Sequence, residues 1–283
     1  MSMQRTSFTS PVDGLELAGY EWHVADARGV VQVAHGLAEH SARYDRFARA
    51  LNEAGYTVRA LDHRGHGASI VGTPGDFGAA GFEALIADVA AYGASVRDDL
   101  PLFLFAHSMG SFAAQSVLLT RSEQYAGVVL SGSTALDLLA AGMAEAEGPA
   151  GLEAFNAGFE HRTGYEWLSR DVAEVDRYVA DPLCGFDLPD ETVPALFGAA
   201  GTLADPDALA GIRSDLPLLL VSGSDDPLAG NGQLVEVLGQ RYRDAGLVDV
   251  TVKVYDGARH EILNEINRDQ VTADVVAWLG AHA

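Results

Sequence analysis

The chain has 283 residues with a formal net charge of −22, and 48% of its residues are hydrophobic. This composition is typical of a globular protein, and the length permits one large domain or two small ones. A strongly acidic protein repels phosphate backbones and anionic lipid headgroups, so we expect neither a nucleic-acid partner nor stable membrane insertion.

The sequence predicts a cytoplasmic protein. Residues 1–14 are mostly polar and lack the features of a secretory signal. No stretch reaches the roughly 18 apolar residues of a membrane span. The single cysteine, Cys184, excludes an internal disulfide, which fits a reducing compartment but also a mature secreted protein whose signal has been removed.

Short runs of β-branched and apolar residues predict seven strands, at 15–22, 30–34, 56–61, 102–106, 127–130, 218–222 and 250–255. Several runs are apolar almost throughout, as in parallel strands that are covered on both faces. The segments between them carry apolar stripes with helical spacing. The stripes are Tyr44, Phe47 and Leu51; Phe82, Leu85, Ile86, Val89 and Val96; and Val271, Val275, Trp278 and Leu279. Alternating strands and helices predict a doubly wound α/β fold.

The alternation stops between residues 135 and 212, where prolines, loops and helical fragments replace any clear strand. From 134 to 212 there are fifteen acidic residues against three arginines, a net charge of −12. Because the strand pattern resumes at Leu218, we expect residues 134–212 to form a helical cap. The cap is inserted into a core of residues 1–133 and 213–283. The alternative is an independent small domain.

The segment around Ser108 has the pattern of a nucleophile elbow. It follows the fourth predicted strand and leads into a helix-compatible stretch at 112–119. A serine on such a strained turn needs small residues two positions to either side, and Ala106 and Gly110 meet that requirement. Ser108 is therefore the predicted catalytic nucleophile.

A serine nucleophile needs a base, and the base needs a third group to orient it. In this arrangement the acid and then the histidine follow the serine, each after a later strand. Asp226 follows the sixth predicted strand and His260 the seventh. They are the predicted catalytic acid and base, although Asp226 could be a turn-forming acid beside a competing Asp225, and His260 a surface histidine.

The oxyanion formed by the attack needs preorganised donors. The backbone N–H groups of Met109, after the nucleophile, and Leu37, in the loop after the second predicted strand, are the predicted pair; an ordinary strand-to-helix turn is the alternative for that loop. The histidines lack metal-ligand spacing, so we expect no metal and no cofactor. Five of them are predicted to fix loops by hydrogen bonds, namely His35, His40, His63, His66 and His107.

Five segments in chain order resemble the monoglyceride lipase and lysophospholipase family: 35–41 with Arg43 and Tyr44, 60–67, the elbow around Ser108, 223–228 and 260–265. Asp181, Pro182 and Leu183 in the cap resemble a further feature of that family. The resemblance implies the α/β-hydrolase fold, a mostly parallel eight-stranded sheet flanked by helices with a helical cap insertion. Ala106 and Ser111 stand where the family usually has glycine.

The resemblance also implies the reaction: hydrolysis of a monoacyl ester, such as a monoacylglycerol or a lysophospholipid-like ester, through an acyl-enzyme on Ser108. It implies that Glu39 and Arg43 lie near the alcohol end of the substrate; a solvated salt-bridging face is the alternative. His107 is a further predicted substrate-binding residue. Phe155, Phe159 and Trp167 are predicted to line the acyl pocket or the core. The acidic cap favours a soluble or micellar ester.

Three other functions stay open. One is a broad carboxylesterase acting on short, water-soluble esters. A second is a serine aminopeptidase whose cap acids bind the substrate amine, with Glu153, Glu160 and Glu166 as candidates. The third is a ligand receptor on the same fold that turns over slowly or not at all.

Overall fold

The structure, a computed structural model, describes residues 2–97, 99–145 and 151–283, with residues 151 and 153 by their backbone alone. Within these ranges eight strands form one sheet. They are β1 Gln4–Thr9, β2 Glu16–Trp22, β3 Gly29–Ala34, β4 Tyr56–Leu61, β5 Leu102–His107, β6 Gly127–Ser131, β7 Leu218–Gly223 and β8 Val250–Tyr255. All seven strands predicted from apolar runs are present, and their ends differ from the prediction by at most one residue.

The sheet order is β1-β2-β4-β3-β5-β6-β7-β8. β2 pairs antiparallel with β1 and β4, and every other neighbouring pair is parallel. This confirms the mostly parallel eight-stranded sheet. The apolar runs did not predict β1, because it is a largely exposed edge strand of polar residues that buries little apolar surface.

The helices of the described ranges are α1 Asp45–Glu53, α2 Gly81–Val96, α3 Met109–Arg121, α4 Leu136–Glu145, α5 Val172–Ala180, α6 Thr192–Phe197, α7 Ala200–Ala204, α8 Pro206–Leu209, α9 Gln233–Asp244 and α10 Arg268–Ala281. Short 3-10 turns lie at Ser41–Tyr44, Gly67–Ser69, Ser122–Gln124, Gly151–Asn156, Glu166–Leu168 and Ile262–Asn264. None of these helices combines the length and the apolar character that a membrane span requires.

Successive side chains of the central strands point to opposite faces of the sheet, so the sheet has two cores. Leu104 and Leu130 pack on one face with α2, α3 and α9. Phe105 and Val129 pack on the other face with α1 and α10. The predicted helical stripes lie in these two cores, with Ile86 and Trp278 partly buried at their margins.

The described part of the chain between β6 and β7 contains helices and 3-10 turns and no strand. Helices α4, α6, α7 and α8 continue the core that α2 and α3 form. A separate small cluster is built from Trp167, Leu168, Tyr178 and Cys184. The helical character of this segment agrees with the predicted cap, and the boundaries at 134 and 212 stay a prediction.

Candidate active site

Ser108 occupies the turn between β5 and α3 with φ 51° and ψ −122°. A positive φ is unfavourable for a residue with a side chain, so neighbouring contacts must hold it in place. The Ser108 N–H donates to the Ser131 carbonyl at 2.9 Å. The Ser108 carbonyl accepts from the Ser111 N–H at 2.8 Å and from the Ser111 hydroxyl at 2.6 Å. This is the strand, strained turn and helix of a nucleophile elbow.

The residues on either side of the elbow differ in how much space they have. A Cβ at Gly110 would lie 2.4 Å from the Ala34 carbonyl oxygen and 2.5 Å from that of His35. Glycine is required there, because both contacts are with backbone. Ala106 is fully buried, and its methyl group packs in the core beside β3. The departure from the family glycine at position 106 is therefore accommodated.

His260 and Asp226 form a buried hydrogen-bonded pair. His260 Nδ1 lies 3.0 Å from Asp226 Oδ2, and the other carboxylate oxygen accepts from the Leu228 N–H at 3.0 Å. Asp226, and not the exposed Asp225, is the acid that contacts the imidazole. A carboxylate at Nδ1 places the ring proton there and leaves Nε2 as an acceptor.

The environment of His260 shifts its pKa upward. Burial disfavours the charged imidazolium, but the attraction of the Asp226 carboxylate and its hydrogen bond outweigh burial. The pKa of His260 is therefore raised above the ordinary histidine value. A raised pKa strengthens the imidazole as a base.

Two aromatic rings contact the His260 imidazole. The Trp167 ring centroid lies 4.8 Å away and that of His107 4.7 Å away. Burial is the main reason that the pKa of His107 falls to about 4, and the neighbouring His260 also lowers it, so His107 stays neutral. The backbone also joins the two segments, because the His260 N–H donates to the Trp167 carbonyl at 3.3 Å. The cap turn Glu166–Leu168 thus packs directly on the histidine.

The loop after β3 is held from within by His35. His35 Nε2 accepts from the His63 N–H at 2.9 Å, so its Nδ1 carries the proton and donates to the Gly36 carbonyl at 2.8 Å. The Gly36 N–H donates to Glu39 Oε1 at 2.6 Å. The predicted loop-fixing role of His35 is confirmed.

The cap holds the same loop from outside at Ala38. Ala38 has φ 53°, and its carbonyl accepts from the Tyr178 hydroxyl at 2.9 Å and from the Gly185 N–H at 3.0 Å. Leu37, immediately before it, and Met109 both border the cavity that contains Ser108. The sequence did not point to Tyr178, because its partner lies 140 residues earlier in the chain.

Glu39, Arg43 and Glu261 form a buried ion cluster. The Arg43 guanidinium donates to both carboxylate oxygens of Glu261, at 2.5 and 2.7 Å, and to Glu39 Oε2 at 2.7 Å. Burial alone would raise the pKa of Glu261, but Arg43 lowers it to about 2. Glu39 and Arg43 do form a salt bridge, as the alternative for them states, but it lies in a buried cluster and not on a solvated face. Glu261 was not predicted. The feature of the sequence that could have indicated it is an acidic residue directly after the predicted base, His260.

A cavity that opens to solvent, with about 720 Å³ of empty space counting its mouth, lies between the sheet and the cap. Eight of the predicted site residues border it: Leu37, Glu39, His107, Ser108, Met109, Phe155, Trp167 and His260. The cap contributes further apolar side chains: Leu139, Met143, Leu152, Leu168, Val193, Leu196 and Phe197. Most of the lining is therefore apolar, and the polar groups are concentrated around Ser108.

A second cavity of about 360 Å³ shares Glu39, His107 and Glu261 with the first. Arg43 borders this smaller cavity and not the larger one. Phe159 borders neither; its ring packs against the Arg259 guanidinium, 4.5 Å from the ring centroid. Phe159 instead packs, like Phe155, against the cap cluster that contains Trp167, which agrees with the core alternative for this residue.

One group of potential metal ligands occurs among the described residues, at His40, Asp181 and Cys184, with ligand atoms within 4.8 Å of one another. His40 Nε2 already pairs with Asp181 Oδ2 at 2.9 Å. The Arg43 charge acts on the Cys184 thiol, and that charge opposes a cation. These three residues therefore fit a metal poorly.

The sheet order and the serine turn after β5 define the α/β-hydrolase class. The model of the family described as serine aminopeptidase, S33, matches residues 25–267, and the chain belongs to this family.

Similar proteins include lipases and an esterase. A monoacylglycerol lipase of Mycolicibacterium smegmatis is 32% identical over 91% of this chain and 90% of the relative. The monoglyceride lipase of Homo sapiens is 30% identical over 84% of this chain and 77% of the relative. A carboxyl esterase from Bacillus coagulans, solved in complex with glycerol, has a TM-score of 0.86 at 28% identity and 99% coverage of both chains. These findings confirm the predicted resemblance.

Proposed function

We propose that the protein hydrolyses monoacyl esters through an acyl-enzyme on Ser108, with His260 as base and Asp226 as the acid that orients it. The observation that carries the proposal is the apolar cavity of about 720 Å³ that contains Ser108 and His260. The names of the relatives, monoacylglycerol lipase and monoglyceride lipase, support the same substrate class.

The chemistry follows from these groups. Ser108 Oγ attacks the ester carbonyl, and His260 Nε2 takes the hydroxyl proton and passes it to the leaving alcohol. Asp226 stabilises the imidazolium that forms. The backbone N–H groups of Leu37 and Met109 donate to the oxyanion. A water molecule activated by His260 then releases the fatty acid and restores Ser108.

The lining of the two cavities supports one acyl chain and a small polar alcohol. Apolar cap side chains, with Phe155 and Trp167 among them, surround the space for the acyl chain. Glu39, Arg43 and Glu261 supply charge at the smaller cavity, where the alcohol would lie. The substrate is a soluble or micellar ester, since the net charge of −22 disfavours anionic lipid surfaces.

An aminopeptidase needs a free carboxylate for the substrate ammonium group. Among the described residues that border the large cavity, the two carboxylates, Glu39 and Glu261, both bind Arg43. Glu166 accepts from the Thr163 hydroxyl and from Asn156, and Glu160 is exposed. The Glu153 side chain lies outside the described residues. These contacts favour an ester over a peptide substrate.

The proposal is tested with 4-nitrophenyl esters of increasing acyl length, a monoacylglycerol and an amino-acid 4-nitroanilide, with Ser108→Ala as control. We expect a preference for medium or long acyl chains, release of glycerol, and loss of both activities in Ser108→Ala. A preference for short chains without glycerol release would indicate a carboxylesterase, and anilide cleavage an aminopeptidase. No turnover would indicate a receptor.

We also propose a cytoplasmic location. The support is that the single cysteine, Cys184, is a buried free thiol, which a reducing compartment preserves.

A further inference from the structure

We infer that Ser111 is a positioning residue for the oxyanion donor on Met109. The Ser111 hydroxyl binds the carbonyl of the peptide group whose N–H belongs to Met109, and it thereby fixes and polarises that N–H. Ser111 stands where the family usually has glycine, which has no hydroxyl to make this contact. The inference rests on the proposed function, in which the Met109 N–H donates to the oxyanion.

The first observation is a directed chain of hydrogen bonds behind the serine turn. The Ser111 hydroxyl donates to the Ser108 carbonyl at 2.6 Å, and its oxygen lies 2.8 Å from the Ser133 hydroxyl oxygen. The Gln115 side-chain N–H donates to Ser133 Oγ at 3.0 Å and to the Thr134 carbonyl at 3.4 Å. A carbonyl can only accept, so the single Ser111 hydroxyl proton points to Ser108, and Ser133 donates to Ser111. The chain therefore begins at the Gln115 amide and ends on the Ser108 carbonyl.

The second observation is that this chain is sealed from water and from substrate. Ser111 and Ser133 are 0% exposed, and Gln115 is 1% exposed. None of these three residues borders either of the two cavities at the active site. In buried surroundings hydrogen bonds are stronger than in water, and they polarise one another along a chain. Ser111 therefore acts through the Ser108 backbone and does not touch the substrate.

The third observation is the place where the chain ends. The Ser108 carbonyl and the Met109 N–H belong to one peptide group, which resonance keeps planar. A hydrogen bond that fixes the carbonyl oxygen therefore fixes the direction of the N–H, and polarisation of the carbonyl makes the N–H a stronger donor. The carbonyl also accepts from the Ser111 and Phe112 N–H groups, at 2.8 and 3.2 Å, and the hydroxyl makes the shortest of the three contacts. The plane of this group is set by the ψ of −122° at the strained Ser108, which depends on such contacts.

Ser111→Ala removes the hydroxyl and keeps a residue that favours the helix. Acylation and deacylation both pass through an oxyanion, so kcat falls whichever step limits it. We expect kcat for a 4-nitrophenyl ester to fall about tenfold with little change in KM, less than the roughly 100-fold loss for a whole oxyanion donor. The pH midpoint of kcat/KM should not move, because His260 keeps its partners. Ser133→Ala leaves the Ser111 hydroxyl in place, so its kcat should fall less, by about threefold.

An alkyl trifluoromethyl ketone separates this role from a merely structural one. Ser108 Oγ bonds to the ketone carbon, the hydroxyl proton goes to His260, and the carbonyl oxygen becomes an oxyanion. We expect the inhibition constant of this ketone to rise about tenfold in Ser111→Ala, in parallel with the loss of kcat. A loss of kcat without weaker inhibition would overturn the inference, as would unchanged kinetics in this variant.

Ser116→Ala is the matched control. Ser116 also lies on α3, and its hydroxyl also donates to a backbone carbonyl, that of Phe112, at 3.1 Å. We expect wild-type kinetics and inhibition in this variant, and losses equal to those of Ser111→Ala would assign the effect to the stability of α3. If Ser111→Ala does not fold, Ser133→Ala carries the same test with its smaller expected losses. If the wild type cleaved no ester, the proposed function itself would fail, whereas normal turnover in Ser111→Ala would remove only this inference.

Discussion

The charge of His260 decides at which pH the proposed chemistry can run. His260 must be neutral to take the Ser108 proton. The Asp226 carboxylate, whose Oδ2 lies 3.0 Å from His260 Nδ1, stabilises the charged imidazolium. A raised pKa means that His260 begins to protonate at a higher pH than an ordinary histidine. Activity is therefore present above that pKa and is lost as the pH falls through it.

We expect kcat/KM to decline with decreasing pH, with a midpoint above about 6.5, the ordinary histidine value. The measurement is a pH profile with a 4-nitrophenyl ester.

Asp226→Asn should lose several orders of magnitude in rate, because the imidazole loses its orienting acid. Asp225→Asn is the control, since Asp225 is exposed and contacts Ser224 instead. A midpoint below 6.5, or equal losses in the two variants, would contradict this account.

Some site residues could be predicted from the sequence and others could not. Ser108, Asp226 and His260 each follow an apolar strand in a fixed order, and parallel strands bring those ends to one edge of the sheet. Glu261 and its partner Arg43 are 218 residues apart, and no local pattern records that contact. Apolar character grouped Phe159 with Trp167, and the two do pack in one cluster, but it could not show that only Trp167 borders the cavity.

At the scale of elements, α5 and the turn after it act on the loop after β3. Ala38 keeps a left-handed conformation, which is unfavourable for alanine, while two cap donors hold its carbonyl. Because Ala38 is adjacent to Leu37, we expect these contacts to set the direction of the proposed oxyanion donor. The proposed cap would then be part of the catalytic geometry as well as a cover over the cavity.

Tyr178→Phe removes one of the two donors to Ala38. We expect kcat to fall about tenfold with little change in KM, because an oxyanion donor acts mainly in the transition state. The pH midpoint should stay at its wild-type value, since His260 keeps its partners. Steady-state kinetics with one ester at several pH values measures all three quantities.

Tyr242→Phe is the control for loss of a buried tyrosine hydroxyl, because the Tyr242 hydroxyl has no hydrogen-bond partner among the described residues and Tyr242 does not border the cavity. Its kinetics should match the wild type. If Tyr178→Phe raised KM and left kcat unchanged, the hydroxyl would act on substrate binding and not on the loop.

The elements differ in how far the sequence predicts them. Buried strands and the long helices α2 and α10 contain enough apolar residues to reveal their period. The helices α6, α7 and α8 have six, five and four residues, too few turns to show one. Their positions depend on packing against the core that α2 and α3 form, which is a tertiary effect.

At the scale of the whole molecule, the acidic cap is joined to the core by ion pairs that cross between them. Among the described residues, arginines of the core bind acids of the cap in four pairs: Arg46 with Glu174, Arg268 with Asp171 and with Glu174, and Arg241 with Asp137. A fifth pair joins Arg170 of the cap to Glu265 of the core. The sequence shows the excess of charge in the cap, and only the fold shows which part of it is neutralised.

Buried histidines make the stability of the whole molecule depend on pH. Burial is the main reason that the pKa of His66 falls to about 4 and that of His63 to about 3. In the unfolded chain these groups protonate near pH 6.5. Between pH 6.5 and 4 the unfolded state therefore binds protons that the folded state does not, and stability decreases as the pH falls. Carboxylates whose pKa is lowered in the folded protein, such as Glu261 with a pKa of about 2, reduce the stability only at lower pH, where the unfolded chain protonates them.

His66→Asn removes one of these titrating groups and keeps an amide that can donate to the Arg64 carbonyl, as His66 Nδ1 does at 3.0 Å. We expect a lower free energy of unfolding at pH 8, because the smaller side chain leaves space beside Phe77. Between pH 6.5 and 4.5, however, the free energy of unfolding should fall less steeply with decreasing pH than in the wild type. The two slopes should differ by up to about 1.4 kcal/mol per pH unit, the contribution of one proton. Urea unfolding at a series of pH values gives both quantities. An unchanged slope in His66→Asn would show that His66 protonates in the folded protein over the same pH range as in the unfolded chain.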